Sequence, residues 1–270
     1  ITIKDVGPKG NNDAVKLSGV DHFIIKDSHI EGWGGSGIDL VGCHQGIIQG
    51  SRFIGVSGYR TKNAVQIKGG SSNILVQNSA FINCGERIIN LGGSTGDAYF
   101  RPAGTDYEAK HVTIAGNRFV GGEAQVAWVT SQNTHVHHNI FYLPEKYVGR
   151  ILQEAKDQRF KPSQKGLFEA NLVVTDNRVK TFFNVGAYTD PDTFTFSHNA
   201  WYRFDSQDKP KLPTKEKGGI YGVYPDLVDF GTPDMKITSQ SKELSDIGPN
   251  AYTQIAVKAD FSDVQIPDIK

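Results

Sequence analysis

Seven times along this chain of 270 residues a small polar residue stands two positions before an apolar one, with strand-forming residues ahead of it. These anchors are Ser28, Ser51, Ser79, Asn117, Asn139, Asn171 and Asn199, in the strings IIKDSHI, IIQGSRF, LVQNSAF, TIAGNRF, HVHHNIF, LFEANLV and TFSHNAW. Successive anchors lie 23, 28, 38, 22, 32 and 28 residues apart. A period of twenty-odd residues, broken by insertions of varying length, is the signature of a solenoid whose units stack in sequence order.

A second apolar segment follows the anchors: GIDLVG at 37–42, VQIKGG at 65–70, IINLGG at 88–93, VAWVTS at 126–131 and FFNVGA at 182–187. Each alternates as a short strand does, and Val, Ile and Phe dominate. The best helical candidate, 147–160, is expected to be a strand at RILQE followed by a charged loop. Units of two or three short strands bury their apolar faces by stacking, which describes an all-β parallel β-helix. Asn and Ser at the anchors suit the tight turns between its strands. An antiparallel sandwich explains short strands but not phased anchors. One elongated domain is expected over 1–248, with at least seven coils and with N-terminal coils in a longer precursor. Residues 249–270 are expected to form a tail or arm along the coil.

Bulk properties exclude some partners. Lys plus Arg equals Asp plus Glu at 29 each, so no basic field invites nucleic acid. No apolar run is long enough to span a membrane. Cys43 and Cys84 sit at different offsets from their anchors and are expected as buried free thiols. Phe119, Phe141 and Trp201, two places after anchors, are expected in the core.

Aligning IDLVG, VQIKG and INLGG puts Asp39, Gln66 and Asn90 in one outward column, continued by Asn184, with Ala127 or Trp128 between according to register. Lys68 stands in the next column. The longest insertion, 92–109, enters beside this wall and carries Tyr99, Arg101, Asp106, Tyr107 and Glu108. Long insertions in compact repeats are disproportionately functional. His135 and His137 share a strand face while His138 is expected to point the other way, so the three are not expected to form a metal site. Asp190 and Asp192 flank Pro191 and mark a turn.

The phased anchors and strand segments over residues 12–205 resemble the right-handed parallel β-helix proteins. That group includes pectate lyases, other polysaccharide lyases, epimerases, glycoside hydrolases and phage tailspikes. The segment YPDLVDFGTPDMKITSQSKELSDIG, 224–248, is similar to the closing segment of secreted bacterial β-helix proteins. The resemblance implies a secreted or surface protein acting on polysaccharide, with a polysaccharide lyase favoured over a glycoside hydrolase or a non-catalytic binding fibre. Lyases of the group commonly use Lys or Arg, which makes Lys68, Arg101 and Arg87 the candidate bases and cations, with Tyr99 or Tyr107 as proton donor. Gln66, Asn90, Asp39, Arg87, Tyr107 and Arg150 are the expected substrate contacts. Calcium is one cation that serves such chemistry, though the group's calcium motif does not map onto this chain and no cofactor is fixed. Hydrolysis needs two carboxyl groups about 5 to 9.5 Å apart, for which Asp39 with Glu108 or Asp106 is the expected pair and Glu154 a further candidate. The open ends of a coil also invite oligomerisation.

Overall fold

The computed structural model describes residues 1–256 apart from Phe230 and Pro233. Among these residues the strands form three stacked parallel sheets, visited in turn as the chain winds. The first has nine short strands, beginning with Thr2–Lys4 and His29–Glu31 and ending with Ile220–Tyr221. The second runs through Val15–Ser18, Ser36–Val41, Asn63–Lys68, Arg87–Gly92, Ala124–Val129, Tyr147–Leu152 and Phe183–Val185. The third contains Asp21–Lys26, His44–Gln49, Ser71–Gln77, Ala109–Ala115, Ser131–His137, Gln164–Glu169 and Thr195–Ser197. The chain is a parallel β-helix. The segment RIL lies in the strand Tyr147–Leu152, as expected from its pattern.

The anchors explain why the coil repeats. Each lies in a two-residue corner between the third and first sheets, preceded by a left-handed residue such as Asp27, Asn78 or His138. The backbone N–H of each anchor donates to the side-chain oxygen of the next: Ser28 to Ser51 at 3.2 Å, Ser79 to Asn117 at 2.9 Å, Asn139 to Asn171 at 3.0 Å. The asparagines add a second strand to this ladder, since each Nδ2 also donates to a carbonyl of the preceding coil, as Asn139 does to Ile114 at 2.9 Å. The anchor side chains of these buried corners are thereby paired, which their burial demands. The last rung, Asn199, finds its acceptor in Glu216 Oε1, 2.8 Å from Asn199 Nδ2, while Oε2 of the same carboxylate accepts from Trp201 and Tyr221.

Two places after each anchor a side chain enters the coil. Phe53, Phe81, Phe119 and Phe141 stack there with ring centroids 4.8–4.9 Å apart, the strand spacing itself. Trp201 is also buried in this core. Cys43 and Cys84 are buried free thiols. Outside the coil, Met235, Ile237, Leu244 and Ile247 cover the outward side chains Ile140, Leu172 and Ala200 of the first sheet. These four come from the 224–248 segment, which forms a small antiparallel pair, Leu227–Val228 with Lys236–Ile237. Beyond it Tyr252 donates to Gln77 Oε1 at 2.7 Å, and Gln77 Nε2 donates to Ile255 O at 3.0 Å. The rest of the expected arm, 257–270, lies outside the described residues.

Candidate functional site

The outward column of the second sheet runs Lys16, Asp39, Gln66, Asn90, Ala127, Arg150, Asn184 in register. Ala127 faces outward and Trp128 inward, where its Nε1 donates to Thr134 Oγ1 at 2.7 Å. The N-terminal half of this wall floors a groove of about 400 Å³. Five cations, Lys16, Arg60, Lys62, Lys68 and Arg87, and four acids, Asp13, Asp39, Glu86 and Glu154, line it.

Asp39 organises the floor. It is 2% exposed, and a carboxylate so buried persists when cations face it. Lys16 Nζ lies 2.6 Å from its Oδ2 and Lys68 Nζ 3.4 Å from its Oδ1. Oδ1 receives no hydrogen bond, so the Lys68 contact is a charge contact of looser geometry. The bond to Asp39, more than any other influence, raises the Lys16 ammonium above its usual range. The other acids are taken as well: Asp13 meets Lys16 at 3.5 Å, Arg60 meets Glu86 at 2.8 Å and Arg87 meets Glu154 at 2.7 Å. Lys62 is exposed. Lys68 is more sheltered, its side chain 21% exposed against 56% for Lys16. Among the hydrogen-bonding groups, Arg87 Nη1 reaches Asn90 Oδ1 at 3.5 Å, and Asn90 Nδ2 donates to Gly92 O at 3.1 Å.

The structure brings Lys68, Asp39, Gln66, Arg87 and Asn90 together in this groove and places the other expected residues elsewhere. Glu108, expected as an acid on an overhanging loop, is fully buried. Its carboxylate accepts from Gly69 N at 2.8 Å, Thr95 N at 2.7 Å and Thr95 Oγ1 at 2.7 Å, so it pins the insertion to the corner. Arg101 folds over that corner to pair with Asp21, and its Nη1 donates to Gly42 O at 3.3 Å. Tyr107 is half-buried beside Ser72, and burial raises its phenol above the usual range. Tyr99 is 69% exposed, on a short 3-10 turn. Arg150 lies farther along the wall, with Nε donating to Asn184 Oδ1 at 3.1 Å and its guanidinium over the Tyr147 ring. Only the start of the insertion, Gly93 and Ser94, lines the groove; the rest drapes over the corner toward the third sheet. A second loop, 153–163, holds it there: Phe160 packs on Phe100, Arg159 lies over both rings and pairs with Asp97 at 2.5 Å, while Lys161 meets Asp106 at 3.0 Å.

Sequence reasoning missed Lys16, Arg60 and Lys62. Lys16 was recoverable, since it stands one coil before Asp39 in the same column. His138 also departs from expectation: it sits in a corner turn at φ +54°, which swings its Nδ1 to 2.8 Å from that of His137. His137 in turn stacks on His135 with centroids 4.0 Å apart. Among the described residues no group of three His, Cys, Asp or Glu side chains is placed to hold a metal ion.

No protein-family model and no curated protein matches the chain. Among solved structures, a pectate lyase from a Bacillus species, in complex with trigalacturonate, aligns over 90% of this chain and 74% of that one, at 13% identity and a TM-score of 0.31. No helix among the described residues is long and apolar enough to cross a membrane.

Proposed function

We propose that this is a secreted or surface-held protein that binds an acidic polysaccharide along the groove and cleaves it by β-elimination. One observation carries the reading: every acid of the groove is already ion-paired, Asp13 and Asp39 with Lys16, Glu86 with Arg60 and Glu154 with Arg87, and Lys62 stands exposed beside them. A uronate carboxylate would meet Lys16, which Asp39 keeps charged, together with Lys62 and Arg87. Fixed cations at that place stabilise the negative charge that develops as the C5 proton leaves. Lys68, in its neutral form, takes that proton. The electron pair forms the C4=C5 double bond, the C4–O4 bond breaks, and O4 is protonated by water in the open groove.

Paired-acid hydrolysis is less well supported, because neither Asp106 nor Glu108 lines the groove, Asp39 is held between two lysines, and Glu154, which does line it, is ion-paired with Arg87. The test is a panel of uronate polymers followed by ultraviolet absorbance and by reducing ends. Absorbance from an unsaturated product is expected. Lys68→Ala should lower the rate by at least about a hundredfold, the lower end of the usual contribution of a general base. Reducing ends without absorbance would overturn elimination, and binding without either signal would leave a recognition module.

A further inference from the structure

The wall does not end at the charged groove. Glu154 closes the groove, and its neighbours Gln153 and Ala155 line a second, more apolar cavity of about 620 Å³ on the other side of the same segment. Phe160, Pro162 and Tyr188 complete the apolar part of its lining. Tyr188 is 87% exposed, more than any other large apolar or aromatic side chain among the described residues. Its backbone is also unusual, held at φ +61°, where a bulky side chain rarely sits. The surrounding chain fixes it there: Gly186 N donates to Ile151 O at 2.8 Å, Asp190 N to Ser163 O at 3.0 Å, and Thr189 Oγ1 to Gly186 O at 2.7 Å. The turn thus presents the ring to solvent at the edge of the cavity.

We infer that Tyr188 is the stacking platform of a second saccharide subsite, continuous with the charged groove through residues 153–155. This rests on the function proposed above and extends it. The ring offers a flat apolar face to the C–H face of a pyranose, and Gln153 and Gln158 at the same cavity offer amides to its hydroxyls. From the strand of Gln66 to that of Asn184, just before Tyr188, there are four strand steps, or roughly 19 Å at about 4.8 Å each. The ligand is therefore a chain of several sugar units, whose charged part lies at Lys68 and whose far end lies on Tyr188. Dimers are too short to reach both.

The experiment measures binding of dimers and hexamers prepared from polygalacturonate, alginate and hyaluronan to the wild-type protein, Tyr188→Gly, Tyr188→Phe and Lys68→Ala. For the polymer that binds, the hexamer should bind more tightly than the dimer. Tyr188→Gly should weaken the hexamer about three- to tenfold while leaving the dimer unchanged, and Tyr188→Phe should restore the hexamer. Glycine relaxes the left-handed backbone, so this variant should keep or raise the melting temperature, which separates loss of the ring from loss of fold. Lys68→Ala should weaken dimer and hexamer alike. Unchanged hexamer affinity in Tyr188→Gly, with Lys68→Ala impaired, would overturn the subsite and leave the proposed function standing. Failure of every hexamer to bind the wild type would overturn both.

Discussion

Replacing Asn139 by Ala removes one rung from the middle of the anchor ladder, and the structure sets the size of the loss. Asn139 Oδ1 accepts from the backbone N–H of Asn117 at 2.9 Å and from Asn117 Nδ2 at 3.0 Å. Its Nδ2 donates to Ile114 O at 2.9 Å, His137 O at 2.9 Å and Asn171 Oδ1 at 3.0 Å. Alanine strands the Asn117 N–H, on a fully buried residue where water does not substitute, and removes the side-chain bonds to Ile114 O, Asn117 Nδ2 and Asn171 Oδ1. A buried polar group left without a partner costs about 1–3 kcal/mol, and the weakened neighbouring rungs add to it, for about 2–4 kcal/mol in all. Against a typical domain stability of about 5–15 kcal/mol that is a large fraction. Ser51→Ala is the control, because Ser51 Oγ accepts only from Ser28 N–H, at 3.2 Å, and should cost about 1 kcal/mol. Urea unfolding followed by circular dichroism and tryptophan fluorescence gives both values if the transitions coincide. Equal losses in the two variants would refute the ladder as a cooperative element and reduce it to independent caps.

Burial, reinforced by the charges of His135 and His138, holds the His137 imidazole down to about 3 from its ordinary 6.5. Between those values the unfolded chain binds a proton that the native state refuses, so stability falls with pH across that window, by up to about 1.4 kcal/mol per unit. His137→Gln should flatten the dependence in urea titrations. Glu169, lowered to about 2 chiefly by its hydrogen bond with His135, adds its own loss as pH falls below its ordinary 4.5. Cys84 is pushed up to about 12 by burial, and Cys43 is raised as well for the same reason. A thiol reagent should find no reactive cysteine in the native protein and two in guanidinium; fast reaction of either in buffer would contradict their placement at the coil corners.

What was legible in the sequence was whatever repeats. The anchors give the coil, and because strand side chains alternate, they also give the column Asp39, Gln66, Asn90, Asn184 and the neighbouring Lys68. The choice between Ala127 and Trp128 was not legible, because two apolar residues satisfy either face of the pattern. Loop paths were hidden for a different reason. Where the 92–109 insertion goes is decided by distant partners, Gly69 for Glu108, Asp21 for Arg101 and Arg159 for Phe100, and none of these is periodic. His138 was misplaced because the alternation rule stops at the last residue of a strand, and the corner that follows it takes a left-handed turn.

The ladder also sets how this molecule can change length. Each corner asks the same thing of the next, an oxygen in one fixed place, and the final request is met by Glu216, which arrives from a loop beyond the last anchor. A whole turn of chain can therefore be duplicated or excised between Ser28 and Asn199 without disturbing either terminus of the stack. Each such event moves the wall by one strand spacing, about 4.8 Å. The distance between the lysine-rich groove and the Tyr188 platform is thus a quantity that duplication alone can tune, a ruler whose graduations are coils.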